Sequence, residues 1–232
     1  TVSELIKSNE ELEKFAYVAS HDLQEPLRMI YIYSELLLKK YSNEVNQEAK
    51  EYLDSIMSGA VRLRQLIKDL LEFSRVGNKR KAEPFTDVDM NDVVRTCLSD
   101  MNSAITDKKI DIQAGNLPVI RGAKTQMLRL MENLIGNAVK FTRKTENPKI
   151  AISAEKKGNE WEFCVKDNGI GIAEGYQEKI FEIFEKLHPQ DEYEGTGIGL
   201  AVCRKIVSQH GGKIRVESRE GEGASFYFTL PA

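Results

Sequence analysis

The chain has 232 residues, 41% of them apolar and 30% charged, with a formal net charge of −3. That length suits one or two domains with at least one real core, and the near-neutral balance gives no support to nucleic-acid binding. The three cysteines, Cys97, Cys164 and Cys203, are far apart, odd in number and without a C-x-x-C spacing, so neither a zinc site nor a disulfide framework is indicated and buried free thiols are the expectation. No apolar run reaches about 18 residues, so no membrane span is expected. The chain opens in mid-pattern without a methionine, which reads as a fragment whose upstream part is missing.

Residues 1 to about 40 read as one long helix. Apolar or small residues recur at Val2, Leu5, Leu12, Ala16, Ala19, Leu23 and Ile30, the three-four alternation of a coiled-coil seam, with Asn9 and Pro26 as exceptions. Pro26 removes a backbone hydrogen bond and is expected to kink the helix. With Ala19 at a d position, His21 falls at f, facing away from the seam, and Asp22 follows it. Imidazole is a nucleophile near neutral pH, although an exposed His-Asp on a helix is also an ordinary solvated face. Tyr41-Ser42-Asn43-Glu44 reads as a turn. A second helix follows to about Val76, with Leu53, Ile56, Ala60, Leu63, Ile67, Leu70 and Ser74 on its seam. Two long helices joined by a short turn make an antiparallel hairpin. Its apolar stripe, widened by Leu66, Leu71 and Phe73, is too broad for two helices to cover, so a homodimeric four-helix bundle is expected.

Gly77-Asn78-Lys79-Arg80-Lys81-Ala82-Glu83-Pro84 is polar, charged and ends in proline, and reads as a linker. The pattern then changes. A strand is expected over Phe85 to Val88, then a helix capped by Asn91 or Asp92 and running to about Ala104. Strands follow over Lys109 to Gln113 and Pro118 to Arg121, then a helix from about Thr125 to Thr142. Lys149 to Glu155 and Trp161 to Lys166 alternate and read as a hairpin. A short amphipathic helix is expected around Gln177 to Lys186, and another helix from about Leu200 to Gln209, ended by Gly211-Gly212. Lys213 to Ser218 and Ala224 to Leu230 form a last hairpin, turned by Glu220-Gly221-Glu222-Gly223. Mixed strands with helices on one face give an α+β sandwich. The expected organisation is a helical domain over 1–76, a linker over 77–84 and a second domain over 85–232.

Three clusters in the second domain carry chemistry. In the run Asn133 to Thr142, Asn133 and Asn137 share a helix face with Lys140 nearby. Amide oxygens suit a hard cation and lysine suits a phosphate; a plain polar face is the alternative. In Asp167-Asn168-Gly169-Ile170-Gly171-Ile172 the glycines let the backbone turn tightly, and a carboxylate at a strand end can accept from an exocyclic amine; an ordinary Asp-Asn-Gly turn is the alternative. In Gly195-Thr196-Gly197-Ile198-Gly199-Leu200 glycines precede a helix and offer backbone N–H groups to an anion. This third cluster follows no strand and lacks Gly-Lys-Ser/Thr, so neither the dinucleotide fingerprint nor the Walker loop fits.

Together, in this order after a His-bearing hairpin, these motifs resemble the sensor histidine kinase family of two-component signalling over nearly the whole chain. Ser20-His21-Asp22-Leu23-Gln24-Glu25-Pro26-Leu27 resembles its phosphoacceptor box, Asn133 to Thr142 its N box, and Asp167 to Ile172 and Gly195 to Leu200 its glycine boxes. Ile180 to His188 resembles the phenylalanine-rich box that starts an ATP lid, and the wording around Leu187-His188 and Glu192 to Gly197 is most similar to kinases attached to PAS or phytochrome-type sensors. The resemblance implies a second domain of the gyrase, Hsp90, histidine kinase and MutL type that binds ATP and Mg2+. It implies His21 as phosphoacceptor, Asp22 as its partner, Asn137 as the magnesium ligand and Asn133 and Lys140 beside the phosphates. It implies Asp167 as the adenine reader and Gly169, Gly171, Thr196, Gly197, Gly199 and Leu200 as nucleotide loops. Lys186 stands where many members carry an arginine directed at the γ-phosphate; the charge is kept and the bidentate geometry lost.

The implied activity is autophosphorylation of His21 and transfer to an aspartate of a response regulator, with no nucleic acid or membrane contact in this segment. The implied setting is cytoplasmic, in a soluble or membrane-attached parent whose sensor lies upstream. Glu25 stands where many members carry Thr or Asn, which implies weak phosphatase activity. Ala123 stands where the family often has an acidic residue, leaving the cap of the following helix unassigned. Phe181 and Phe184 are expected to be lid anchors packed on the core. His210 is expected at a helix end, its charge suited to the C-terminal dipole. Two alternatives are an ATPase of the gyrase group, which needs no exposed histidine on a dimeric hairpin, and a non-catalytic scaffold, which is expected to have lost Asn137 or Asp167.

Overall fold

The structure, a computed structural model, describes residues 22–76, 83–142, 147–187 and 195–232. His21, the seam before it, residues 77–82 of the linker stretch and His188 lie outside the described residues. The chain divides into two compact units between Arg75 and Val76.

In the first unit, helix α1 spans 22–40 and continues on both sides of Pro26. Tyr41 closes it with a backbone bond to Leu37, and the turn is held by Glu44 N–H donating to the Tyr41 carbonyl at 2.9 Å. Helix α2 (Gln47–Arg75) starts at Asn46, whose side-chain oxygen accepts from the Ala49 N–H at 2.8 Å as an N-cap does. Leu23, Ile30 and Leu37 on α1, and Ile56, Leu63 and Leu70 on α2, are all 39% exposed or more. Each set repeats every seven residues, so each helix keeps an apolar stripe that its own hairpin does not cover.

The second unit begins with β1 (Thr86–Asp89) and α3 (Met90–Asp100). Asp89, not Asn91 or Asp92, caps α3: its Oδ1 accepts from the Asn91 N–H at 2.8 Å. Asn91 is used elsewhere, exchanging two hydrogen bonds with the backbone of Leu117. A short α4 (Asn102–Asp107) follows, then β2 (Asp111–Ala114), β3 (Val119–Gly122) and α5 (Lys124–Lys140). The chain then runs through β4 (Lys149–Lys157), β5 (Glu160–Asp167), α6 (Gly199–Gln209), β6 (Ile214–Arg219) and β7 (Gly223–Pro231).

Five strands form one sheet in the order β2-β4-β5-β7-β6, with β2 parallel to β4 and the other neighbours antiparallel; β1 pairs with β3 separately. Alternate residues of the sheet, including Ile150, Ile152, Phe163, Val165, Phe226 and Phe228, are buried with the apolar faces of α5 and α6. Phe163 and Phe228 are register partners and stack at 4.7 Å between centroids. Each such fully buried side chain contributes roughly 2–3 kcal/mol. Cys97 and Cys203 are buried as expected, the Cys97 thiol pushed up to about 12 by its burial, while Cys164 is half-buried on the sheet.

The helix expected over Gln177 to Lys186 does not form. A 3-10 turn at Lys179–Phe181 takes its place, preceded by another at Glu174–Tyr176. Phe184 has φ +70, which no right-handed helix admits, and its N–H donates to the Gly197 carbonyl at 2.9 Å. Phe181 is buried edge-on against Phe226, but Phe184 is 57% exposed, so only the first of the two anchors the segment.

Candidate nucleotide site

Helix α5 is the frame of the site. Its 3.6-residue period buries Met127, Leu130, Met131, Leu134 and Ile135 and leaves Asn133, Asn137 and Lys140 along another face. Both ends are held by side chains from elsewhere. Ala123 has no side-chain cap of its own, and its N–H donates to His210 Nε2 at 3.2 Å. The other ring nitrogen of His210 faces the Ile206 carbonyl at 2.8 Å, which assigns the proton to Nδ1. Burial, only partly opposed by that carbonyl, lowers the His210 pKa. The ring is therefore not the charged end group expected; it is a neutral acceptor stacked on Phe85 at 4.4 Å. Glu83 completes the cap, accepting from the Thr125 N–H at 3.1 Å and from its hydroxyl. At the far end Lys108 Nζ donates to the Val139 carbonyl at 2.8 Å, where a cation suits the helix dipole.

Asp167 ends β5 and is 7% exposed. Its Oδ1 accepts from the Gly169 N–H at 2.8 Å and the Ala224 N–H at 3.3 Å. Desolvation raises its pKa, against the two N–H groups that lower it. Both bonds end on Oδ1, so Oδ2 keeps its acceptor capacity. The loop after Asp167 lies on the end of α5: Ile170 N–H donates to the Phe141 carbonyl at 3.2 Å, and a Cβ on Gly169 would sit 2.4 Å from that same oxygen. The second glycine loop closes on the same helix. A Cβ on Gly199 would lie 2.6 Å from Asn133 Oδ1, and one on Gly195 would lie 2.9 Å from Lys140 Nζ. Thr196 between them is buried, and Leu200 is half-buried in the first turn of α6.

Asn133, Lys140, Gly169, Gly195 and Gly199 thus gather around the second half of α5 and its C-terminal end, with Asp167 at the end of β5 and Gly171 on the loop after it, while Gly197 packs against the backbone of Phe184 and Glu185. Asn137 lies one turn from Asn133, and its amide makes no hydrogen bond to a described residue. Lys186 is exposed and is not joined to these groups by any bond to a described residue. In the first unit, Asp22 and Glu25 are exposed, with Arg28 at 3.9 Å from Glu25. Sequence reasoning missed Lys108, Glu83, Ser218 and the Gly223-Ala224 step. The last of these reaches Asp167 across 57 residues, and its only trace in the sequence was a glycine-rich turn.

This donor set fits a nucleotide with its metal. It offers a buried carboxylate for a base amine, amide oxygens for a hard cation, and an ammonium and helix N-terminus for phosphates. The glycines leave room that a Cβ would fill.

Residues 122–232 match the family of histidine kinase-, DNA gyrase B- and HSP90-like ATPases, and residues 11–79 match the His Kinase A phospho-acceptor domain. Cyanobacterial phytochrome A of Nostoc is 44% identical over 228 residues, which are 98% of this chain and 29% of that protein. Phytochrome-like protein Cph1 of Synechocystis is 41% identical over 227 residues, 98% of this chain and 30% of that protein. The chain therefore spans about three-tenths of these relatives' length. Full-length ShkA in complex with AMPPNP superposes with a TM-score of 0.71 at 27% identity, over 94% of this chain and 45% of that one. The catalytic domain of histidine kinase ThkA gives 0.55 at 33% identity, over 63% of this chain and 95% of that one. ThkA in complex with response regulator protein TrrA gives 0.65 at 25% identity, over 99% of this chain and 65% of that one. A phospho-acceptor segment followed by this ATPase fold, collinear with the phytochrome relatives, makes the chain a member of the sensor histidine kinase family.

Proposed function

We propose that this segment is an ATP- and Mg2+-dependent protein-histidine kinase that phosphorylates His21 and passes the phosphoryl group to an aspartate of a response regulator. The observation that carries the reading is the closure of two glycine loops on the polar face of α5, beside a buried carboxylate with a spare oxygen. The AMPPNP bound to ShkA and the TrrA bound to ThkA support the nucleotide and the partner. The seven-residue stripe on both helices supports a homodimer.

In this reading Asp167 Oδ2 accepts from the adenine amine. Lys140 and the first N–H groups of α6 take the phosphates, with Asn133 beside them and Lys186 reaching for the γ-phosphate. Asn137 gives an amide oxygen to Mg2+, which when bound neutralises phosphate charge. His21 Nε2 forms a bond to the γ-phosphorus as the bond to the bridging oxygen breaks; ADP leaves, and Asp22 holds or removes the Nδ1 proton. The residues span the stretches 1–76 and 85–232, with 77–84 between them.

Incubation with γ-labelled ATP is expected to give an acid-labile, base-stable label that His21→Ala abolishes while ATP binding survives. A label of unchanged strength in that variant rejects the assignment. Glu25, four residues after His21 in the sequence, is exposed. As a carboxylate it would face a negative phosphoryl group on a docked regulator, and a repulsion of about 1.4 kcal/mol is already tenfold in rate. Weak phosphatase activity is therefore proposed. Timing the decay of phosphorylated regulator with this chain and with Glu25→Thr tests it: strong acceleration by the native chain, or no gain with threonine, counts against it.

A further inference from the structure

We infer that Ser218 is a positioning residue for base recognition, its hydroxyl joining the first glycine loop to the β6–β7 turn so that both close on Asp167. The inference rests on the adenine-reading role proposed for Asp167. Ser218 is half-buried near the end of β6. Its Oγ accepts from the Ile172 N–H at 2.8 Å and donates to the Gly223 carbonyl at 2.6 Å. The next residue, Ala224, donates its N–H to Asp167 Oδ1, and Gly169 at the start of the loop donates to the same oxygen. The links form a closed circuit: Asp167, the loop from Gly169 to Ile172, Ser218, Gly223, Ala224 and back to Asp167.

Two further bonds brace the same junction. Gly221 N–H donates to the Ile170 carbonyl at 2.7 Å, and Gln177 Nε2 donates to the Ser218 carbonyl at 2.7 Å. The backbones touch throughout: a Cβ on Gly171 would fall 2.0 Å from the Arg219 carbonyl oxygen, and one on Gly223 would fall 2.1 Å from that of Asp167. In a junction this close, a small shift of loop against turn becomes a rotation of the carboxylate pinned between them. A hydroxyl is both donor and acceptor, which is what the circuit needs at this point; a methyl group leaves an N–H and a C=O unpartnered.

A staple that merely holds a hairpin together would affect all nucleotides alike. A group that aims Asp167 affects adenine selectively, because guanine carries a carbonyl where adenine has its amine, and a site built to bond an amine discriminates through that bond. The experiment measures ATP and GTP affinity of the whole chain, with Mg2+, for Ser218→Ala, Ser218→Thr and Asp167→Asn. Ser218→Ala is expected to lower the ATP-over-GTP preference about tenfold, the worth of one well-placed hydrogen bond, and Ser218→Thr to restore it. Equal weakening of both nucleotides, or an unchanged preference in Ser218→Ala, overturns the inference while leaving Asp167 its role. An unchanged preference in Asp167→Asn overturns the adenine reading itself, and the inference with it. Should Ser218→Ala not fold, Ser218→Cys, a weaker donor of similar size, is expected to show a reduced preference, and an undiminished one overturns the proposal.

Discussion

His210 shows how one side chain changes character between sequence and structure. At a helix end it looked like a charge for the dipole; in the fold it is a buried neutral ring whose Nε2 must stay unprotonated to accept from Ala123. Its folded pKa lies below the ordinary 6.5. The ring therefore stays neutral in the folded state where the same ring in the unfolded chain has begun to bind a proton. His210 contributes its stability in full above about pH 6.5, and that share is lost as the pH falls through 6.5 toward the folded value. The loss is at most about 1.4 kcal/mol per pH unit. Unfolding free energies of the native chain and of His210→Gln, compared between about pH 7.5 and 5.5, are expected to differ in slope, with the native chain the steeper. Parallel profiles would show that His210 takes up no extra proton on unfolding.

At the scale of elements, α5 is a well-formed helix whose first turn owes its partners to other segments. Glu83→Ala leaves the Thr125 N–H and hydroxyl without their acceptor and removes a negative charge from a helix N-terminus. That is expected to cost about 1 kcal/mol. In a unit of this size it lowers the midpoint of thermal unfolding by about 3 °C, measurable by calorimetry, with Glu83→Gln intermediate. The existence of α5, its polar face and the strands around it were legible in the sequence, because apolar periods of 3.6 and 2 are local signals. Its caps were not, because Glu83 lies 42 residues and His210 87 residues from the groups they hold. The same reason hid the contact of Ala224 with Asp167. The segment 177–186 was misread because its apolar spacing mimics a helix, while Phe184 adopts a positive φ that a single sequence gives no reason to expect. Asp89 was overlooked as a cap because Asn91 and Asp92 offer the same chemistry two and three residues later.

For the molecule as a whole, every described residue assigned to the nucleotide lies in the second unit, while the exposed seven-residue stripes lie in the first. Association and nucleotide binding are then separable. Leu63, 48% exposed in the middle of the α2 stripe, is the natural place to separate them. A buried, unpaired carboxylate at a dimer seam costs several kcal/mol, so Leu63→Glu is expected to give a monomer by light scattering with ATP affinity unchanged. A dimer that survives the substitution would place the association surface elsewhere.

The pinning of His210 also gives α6 a mechanical character. The helix has 11 residues and is therefore about 16 Å long. Its last turn is fastened beside the buried core, and its first residue, Gly199, lies against Asn133. A tilt of about 10° about the fastened end carries the first turn through about 3 Å, roughly the length of one hydrogen bond. The imidazole thus marks the fixed end of α6. In the proposed reading, an angular change of that size at the fixed end decides whether the first turn can reach a phosphate.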